Sequence, residues 1–406
     1  MTITSPTTAL DAPAQDHAAR ASTGRRLARW GLLRDLDNPG QMLAAITPNW
    51  YASIMGTGIV AVAAASLPEQ FAGLRAAATV VWAGAAVLLL GLTVVTALHW
   101  WYYPQVARGH AGDPVMAQFY GAPPMAMLTV GAGALLLGRD WIGLGAAVDV
   151  DWVLWFAGTV TGLLSAAAIP YLMFTRHRVP VDGAFGGWLM PIVPPMVSAS
   201  TGALLLPYAA PGQDRLALLL CCYAMFGISL LASVVVITLI WYRLAVYKIG
   251  PPRMVPTLWI VLGPLGQSVT AANLLGGNAH LAIPAPYSSA LQAFGVVYGV
   301  PVWGFAMLWA CIAMAITLRT AADHLPFSLT WWSFTFPVGT CVTATSALAL
   351  HTGADLFRIA AAVFYAALAG AWILVATRTA RDSVRGRLFR VVASTAPTPA
   401  MAASTS

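Results

Sequence analysis

Pro48-Asn-Trp-Tyr-Ala-Ser-Ile-Met-Gly56-Thr-Gly58 places a proline and then two glycines inside a hydrophobic stretch. Four later stretches repeat the arrangement: Pro123-Pro124 to Gly131, Pro191 through Pro194-Pro195 to Gly202, Gly263-Pro264-Leu-Gly266, and Phe336-Pro337-Val-Gly339. Proline removes a backbone donor and crowds the preceding turn, so inside a helix it produces a bend. In lipid, freed backbone groups are tolerated only where they find a partner or line a cavity. Five bent helices alternating with straighter ones therefore predict an inner ring around a path, and transport is the first function to consider.

The composition agrees. Of 406 residues, 59% are hydrophobic and 9% charged, with a mean hydropathy of +0.74; soluble domains carry about 25% charged residues. The chain reads as an all-α integral membrane protein. A membrane-crossing helix needs about 20 apolar residues, and ten such spans are predicted: 47–67, 76–98, 123–138, 148–174, 186–207, 214–242, 254–276, 287–318, 327–350 and 355–377. The third is short, and the apolar run Val115–Tyr120 allows it to begin earlier. Residues 1–39 contain five arginines and no apolar core, so they read as a disordered N-terminal segment rather than a secretory signal. Residues 40–380 form the membrane domain, and 381–406 a basic and then Ala/Ser/Thr/Pro-rich disordered tail.

Lys and Arg accumulate on the cytoplasmic side of membrane proteins. With the N-terminus and C-terminus both cytoplasmic, that side receives 17 of the 21 basic residues, and the outer side only Arg75, Arg139, Arg215 and Arg358. The split supports an even number of spans in a cell membrane. It also explains the net charge of +7 without a nucleic-acid partner. Cys221, Cys222, Cys311 and Cys341 lie in apolar runs and read as buried thiols, not disulfides or metal ligands. The seven histidines fall at span ends or in loops, with no His-x-x-x-His pair, no Gly-x-Ser-x-Gly elbow and no phosphate-binding glycine loop. Nothing points to an enzyme, a metal or a cofactor.

Small neutral polar residues mark the odd spans. They are Asn49, Ser53 and Thr57; Thr129; Ser198, Ser200 and Thr201; Gln267, Ser268, Thr270 and Asn273; and Ser333, Thr335, Thr340 and Thr343. A single Ser or Thr in a span more often bonds its own helix backbone, so the signal is their concentration beside helix breaks. The candidate lining comprises Pro48, Ser53, Gly56, Thr57, Gly58, Pro124, Thr129, Pro195, Ser198, Thr201, Pro264, Gln267, Ser268, Pro337 and Thr340. No Asp, Glu, Lys or Arg occupies the middle of an odd span. Asp149 and Asp151, at one end of the fourth span, read as solvated or structural. Hydroxyls, amides and helix ends suit weak binding of anions, whereas a path without carboxylates does not attract cations.

Four stretches in order resemble the signatures of the tellurite-resistance/dicarboxylate transporter family, which includes a malate permease and a sulfite pump and is related to the plant slow-type anion channels. They are Thr47–Gly58, Phe119-Tyr-Gly-Ala-Pro-Pro-Met125, Gly263-Pro-Leu-Gly-Gln267 and Trp331-Trp-Ser-Phe-Thr-Phe-Pro337. The resemblance implies ten helices as five hairpins in quasi-fivefold symmetry around a central pore, assembled as a homotrimer. It also implies a phenylalanine gate in the ninth helix, at Phe336, with Phe334 as the alternative position. The implied substrates are small anions: a C4-dicarboxylate such as malate, or sulfite, with chloride or nitrate as further possibilities. Proton-coupled efflux is the alternative transport mode, and a membrane enzyme the remaining class.

Overall fold

A computed structural model describes residues 35–36 and 40–389. Among the described residues there is no strand. We number the α-helices of twelve residues or more: α1 Tyr51–Ser66, α2 Leu74–Tyr102, α3 Ala122–Gly133, α4 Leu144–Thr175, α5 Pro194–Leu205, α6 Gln213–Tyr247, α7 Leu262–Asn278, α8 Tyr287–Asp323, α9 Phe336–Thr352 and α10 Asp355–Arg385. Eight helical runs are long and apolar enough to cross a membrane: α2, α4, α6, α8 and α10, together with Met116–Ile142, Pro252–Leu281 and Leu329–Thr352, which contain α3, α7 and α9. The third run does begin early, at Met116. With 16 and 12 residues, α1 and α5 are shorter than the other predicted spans.

The prolines act differently from the bends expected of them. Pro123 and Pro124 open α3, Pro194 and Pro195 open α5, Pro337 is the second residue of α9, and Pro264 the third of α7. Pro48 begins a 3-10 turn, Pro48–Trp50, that leads into α1. Similar 3-10 segments precede the other buried helices: Met116–Gly121, Gly186–Leu189, Pro252–Val261 and Leu329–Phe334. The first turn of a helix has no intrahelical use for its N–H groups, so proline is accepted there and excluded further in. In four of the five elements a proline lies in the first turn of the α-helix that follows the 3-10 segment, and in the first element Pro48 opens the 3-10 turn itself. The prolines inside long α-helices are Pro170 of α4 and Pro301 of α8.

Thr47–Thr377 forms one compact unit. Its helices make two layers. In the most apolar windows of α2, α4, α6, α8 and α10, 17–33% of residues are buried; in the runs containing α3, α7 and α9 the share is 83–89%. Nearly every residue of α1 and α5 is buried too. Within the buried layer α1 contacts α3, α3 contacts α5, α5 contacts α7, α7 contacts α9, and α9 returns to α1. On the outside α2 packs on α1, α4 on α3 and α5, α6 on α5, and α8 on α7 and α9. Glycines allow these approaches: a Cβ at Gly266 of α7 would lie 2.6 Å from the Thr340 carbonyl carbon of α9, and one at Gly58 of α1 2.8 Å from Thr129 Cγ2 of α3.

A second unit comprises the residues before Thr47 and from Arg378 onward. In its described part, Arg387 Nε donates to Asp35 Oδ2 at 3.0 Å and the Asp35 N–H to the Arg385 carbonyl at 3.0 Å. α10 continues to Arg385, eight residues beyond the predicted end at 377. The remainder of the predicted N-terminal segment and the tail beyond Phe389 lie outside the described residues.

Candidate functional site

Two cavities lie inside the buried layer, and each is lined by residues from all five of its elements. The first collects the starts of the α-helices. It is lined by Asn49, Ala52 and Met55 around the start of α1, Phe119 and Met125 around α3, Met190 and Val193 just before α5, Ile260 and Gly263 around α7, and Leu329, Ser333, Phe336 and Pro337 around α9. We call it the N-end cavity; its volume is about 20 Å³. The second, the mid-helix cavity, is about 40 Å³ and meets Ile59 and Val62 of α1, Thr129 and Ala132 of α3, Val197, Ser200, Thr201 and Leu204 of α5, Gln267, Thr270 and Leu274 of α7, and Thr343 of α9. Phe336 lines both. A water molecule occupies about 10–15 Å³ by this measure, so each space has room for one to a few waters.

Phe336 is 2% exposed and stands at the handover from the 3-10 segment to α9. Phe334 is part of an aromatic cluster instead, edge-on to Trp259 at 5.6 Å and to Trp331 at 5.6 Å, and borders neither cavity.

Thr129, Thr201, Gln267, Phe336 and Pro337 come together at the cavities. Other residues of the expected lining bond to neighbouring elements. Thr57 Oγ1 accepts from Trp372 Nε1 of α10 at 3.1 Å, Ser198 Oγ accepts from Thr159 Oγ1 of α4 at 3.0 Å, Ser268 Oγ accepts from Tyr298 of α8 at 2.8 Å, and Thr340 Oγ1 donates to the Leu262 carbonyl at 3.2 Å. Ser53 bonds its own helix, donating to the Trp50 carbonyl at 2.7 Å. Gly56 faces Thr335 and Trp332. Pro48, Pro124, Pro195 and Pro264 sit at helix starts, one or a few residues from the N-end cavity lining. The apolar lining, including Met55, Met125, Met190 and Val193, escaped sequence reasoning, because a methionine facing a cavity looks in sequence like one facing the core.

Several cavity hydroxyls donate within their own helices. Thr129 donates to the Met125 carbonyl at 2.6 Å, Ser200 and Thr201 to Val197 at 2.9 Å each, and Thr343 to Thr340 at 3.0 Å. Gln267 differs: its Nε2 donates to Ser200 Oγ, while its Oε1 is buried without a partner. Asn49 Oδ1 in the N-end cavity is likewise buried and unpartnered. No Asp, Glu, Lys, Arg, His or Cys lines either cavity. The nearest surprise is Asp151 of α4. Asp149 is exposed, but Asp151 is fully buried, both carboxylate oxygens lack partners, and a Cβ at Gly131 of α3 would lie 2.6 Å from its Oδ1. Of the two expectations for Asp151, solvated or structural, the first is corrected: close packing of α4 on glycine-bearing α3 seals it from solvent.

Comparison with known proteins finds relatives over most of the chain. A sulfite efflux pump of Arthroderma otae is 26% identical over 353 residues, covering 84% of this chain and 92% of its own. An uncharacterized transporter of Methanocaldococcus jannaschii is 25% identical over 344 residues, covering 84% and 96%. The malic acid transport protein of Schizosaccharomyces pombe is 20% identical over 350 residues, covering 82% and 78%. Residues 45–380 match the voltage-dependent anion channel family across the whole buried layer and the helices around it, and the chain belongs to that family.

Proposed function

We propose that this protein moves small anions across the cell membrane along the axis of the buried layer, with sulfite the favoured substrate and malate or another C4-dicarboxylate next. The observation that carries the reading is the convergence of all five buried elements on two cavities that no charged side chain lines. The 3-10 segments already bond the first N–H groups of these helices, so the path offers an anion a neutral lining of hydroxyls, amides and apolar groups, with no carboxylate to repel it and no fixed cation to hold it. The choice of sulfite rests on the similarity to sulfite efflux pumps, and that of malate on the more distant malic acid transport protein. Chloride and nitrate complete the panel.

In this reading the ten numbered helices are ten spans, arranged as five hairpins in quasi-fivefold fashion around the pore, with three copies forming a homotrimer. The closed circuit of contacts from α1 through α9 supports the arrangement. The 17-to-4 distribution of basic residues supports both termini being cytoplasmic. Phe336 is the gate: a bulky apolar ring between two spaces of a few waters each interrupts the water path, and the conformation described is closed.

The test is flux from proteoliposomes loaded separately with sulfite, malate, chloride or nitrate. Sulfite should leave fastest; if none of the four leaves faster than from empty vesicles, the proposal fails. A second reading, proton-coupled efflux, draws support from Asp151, since an ionisable group buried inside a membrane segment marks a proton path more often than a structural feature. An imposed pH gradient would then drive sulfite accumulation, and uptake indifferent to that gradient would rule it out.

A further inference from the structure

A groove of about 780 Å³ lies away from the two cavities of the buried layer. It runs between the C-terminal ends of α6 and α8, two helices whose remaining surfaces are apolar and exposed, with Leu231 71%, Val235 60%, Val297 73% and Leu318 62% exposed. Such surfaces face acyl chains in a bilayer.

Polarity along the groove is graded. Trp241 of α6 and Ile312 and Ile316 of α8 form its apolar walls, and the buried Trp309 ring backs Trp241 at 6.0 Å. Further towards the helix ends come Lys248 and Arg319. At 1.5 Å per residue these cations stand about 10 Å beyond Trp241 and about 15 Å beyond Trp309 along their helices. Arg319 makes no hydrogen bond or ion pair among the described residues, and Lys248 Nζ reaches only the Ala245 carbonyl, at 2.9 Å. The Lys248 backbone is held in the left-handed region, φ 65°, as the cap of α6. Asp323 is the one acidic group at the mouth; it lies a helical turn past Arg319 without pairing to it, so the mouth keeps a net positive charge.

We propose that this groove binds an anionic phospholipid of the adjoining leaflet, with the phosphate between Arg319 and Lys248 and an acyl chain along Trp241, Ile312 and Ile316. The order of the lining, apolar and then cationic towards the water, is the order of a phospholipid from chain to headgroup, and basic residues at the membrane surface attract anionic lipid. The inference rests on the membrane placement but not on which anion is carried. The groove is also tied to the pore wall. Trp309 Nε1 donates to the Leu258 carbonyl at 2.9 Å, and Trp259 Nε1 donates to Thr317 Oγ1 of α8 at 2.9 Å. Both contacts belong to the 3-10 segment that places Ile260 in the N-end cavity. A bound lipid braces that segment.

The test is native mass spectrometry of the full chain released from nanodiscs containing equal amounts of phosphatidylglycerol and phosphatidylcholine. Wild-type protein should retain phosphatidylglycerol at least tenfold over phosphatidylcholine. The Lys248→Gln/Arg319→Gln double variant should lose that preference, and Trp241→Ala should reduce total retained lipid. Both cations are exposed, so the double variant should keep wild-type thermal stability and monodispersity; Arg319→Lys, which keeps the charge, should retain most of the preference and provides a folded control. Equal retention of the two lipids by wild type, or an unaltered preference in the double variant, overturns the proposal. Displacement of the lipid by millimolar inorganic phosphate would also overturn it, because the site would then recognise free phosphate. So would efficient cross-linking of a Trp241→Cys variant to a second copy in the membrane, since a protein would then fill the groove.

Discussion

The hydroxyls of Thr270 on α7 and Thr343 on α9 lie 2.8 Å apart on the wall of the mid-helix cavity, joining two neighbouring helices of the buried layer beside Phe336. Thr343→Val keeps the volume and removes this bond, leaving Thr270 its weaker bond to the Gly266 carbonyl at 3.1 Å. A double-mutant cycle with Thr270→Val should give a coupling of about 0.5–1.5 kcal/mol, read from denaturation of the detergent-solubilised protein. A coupling indistinguishable from zero would mean that the pair does not join the helices.

Phe336→Ala should connect the two cavities. Single-channel or macroscopic current in planar bilayers should rise above wild type, while stability falls by about 3 kcal/mol from the loss of a buried ring. Phe334→Ala should lower stability by disrupting its contacts with Trp259 and Trp331 and leave the current unchanged. The reverse pattern would move the gate to Phe334.

Gly266→Ala should weaken the seam between α7 and α9. The added Cβ would meet backbone of Thr340 at 2.6 Å, and backbone cannot rotate away as a side-chain tip can. Overpacking of this kind costs about 1–3 kcal/mol, which thermal unfolding in detergent would register; an unchanged midpoint would contradict the close approach.

His110 lies outside the spans, in the short helix Pro104–Gly112, stacked on His99 with ring centroids 5.4 Å apart. Burial first, and then the neighbouring His99, lower its pKa from the ordinary value of 6.5, with Asp113 opposing. The native state therefore takes up this proton less readily than the unfolded chain. Stability is present above about pH 6.5 and is lost as the pH falls through that value towards the lower native pKa. His110→Gln should flatten the acid side of a melting-temperature profile between about pH 5 and pH 7. An identical slope in wild type and variant would show that His110 contributes nothing to it.

Sequence reading and structure part company at identifiable places. The prolines at 124, 195, 264 and 337 were expected to bend continuous helices, yet each lies in the first turn of one. Hydropathy cannot separate a bent α-helix from an apolar 3-10 segment followed by an α-helix, because both are equally apolar. Among the expected lining residues, Thr129 and Thr201 face the cavity, whereas Ser198 and Ser268 turn outward to Thr159 and Tyr298. A serine on a helix that is apolar all round carries no mark of the direction in which it points.

The sequence by itself determined the helical, membrane-scale architecture, the clustering of proline and glycine in alternate spans, and the lopsided distribution of basic residues. These follow from properties each residue carries locally: apolar area, a missing N–H, a charge excluded from lipid. Only the tertiary structure decided the rotation of each helix, and with it the position of Phe336 between two cavities, the burial of Asp151 against Gly131, and the cationic groove between α6 and α8. Rotation is set by which neighbour's side chain fits over which glycine, and that fit exists only once the helices are packed together.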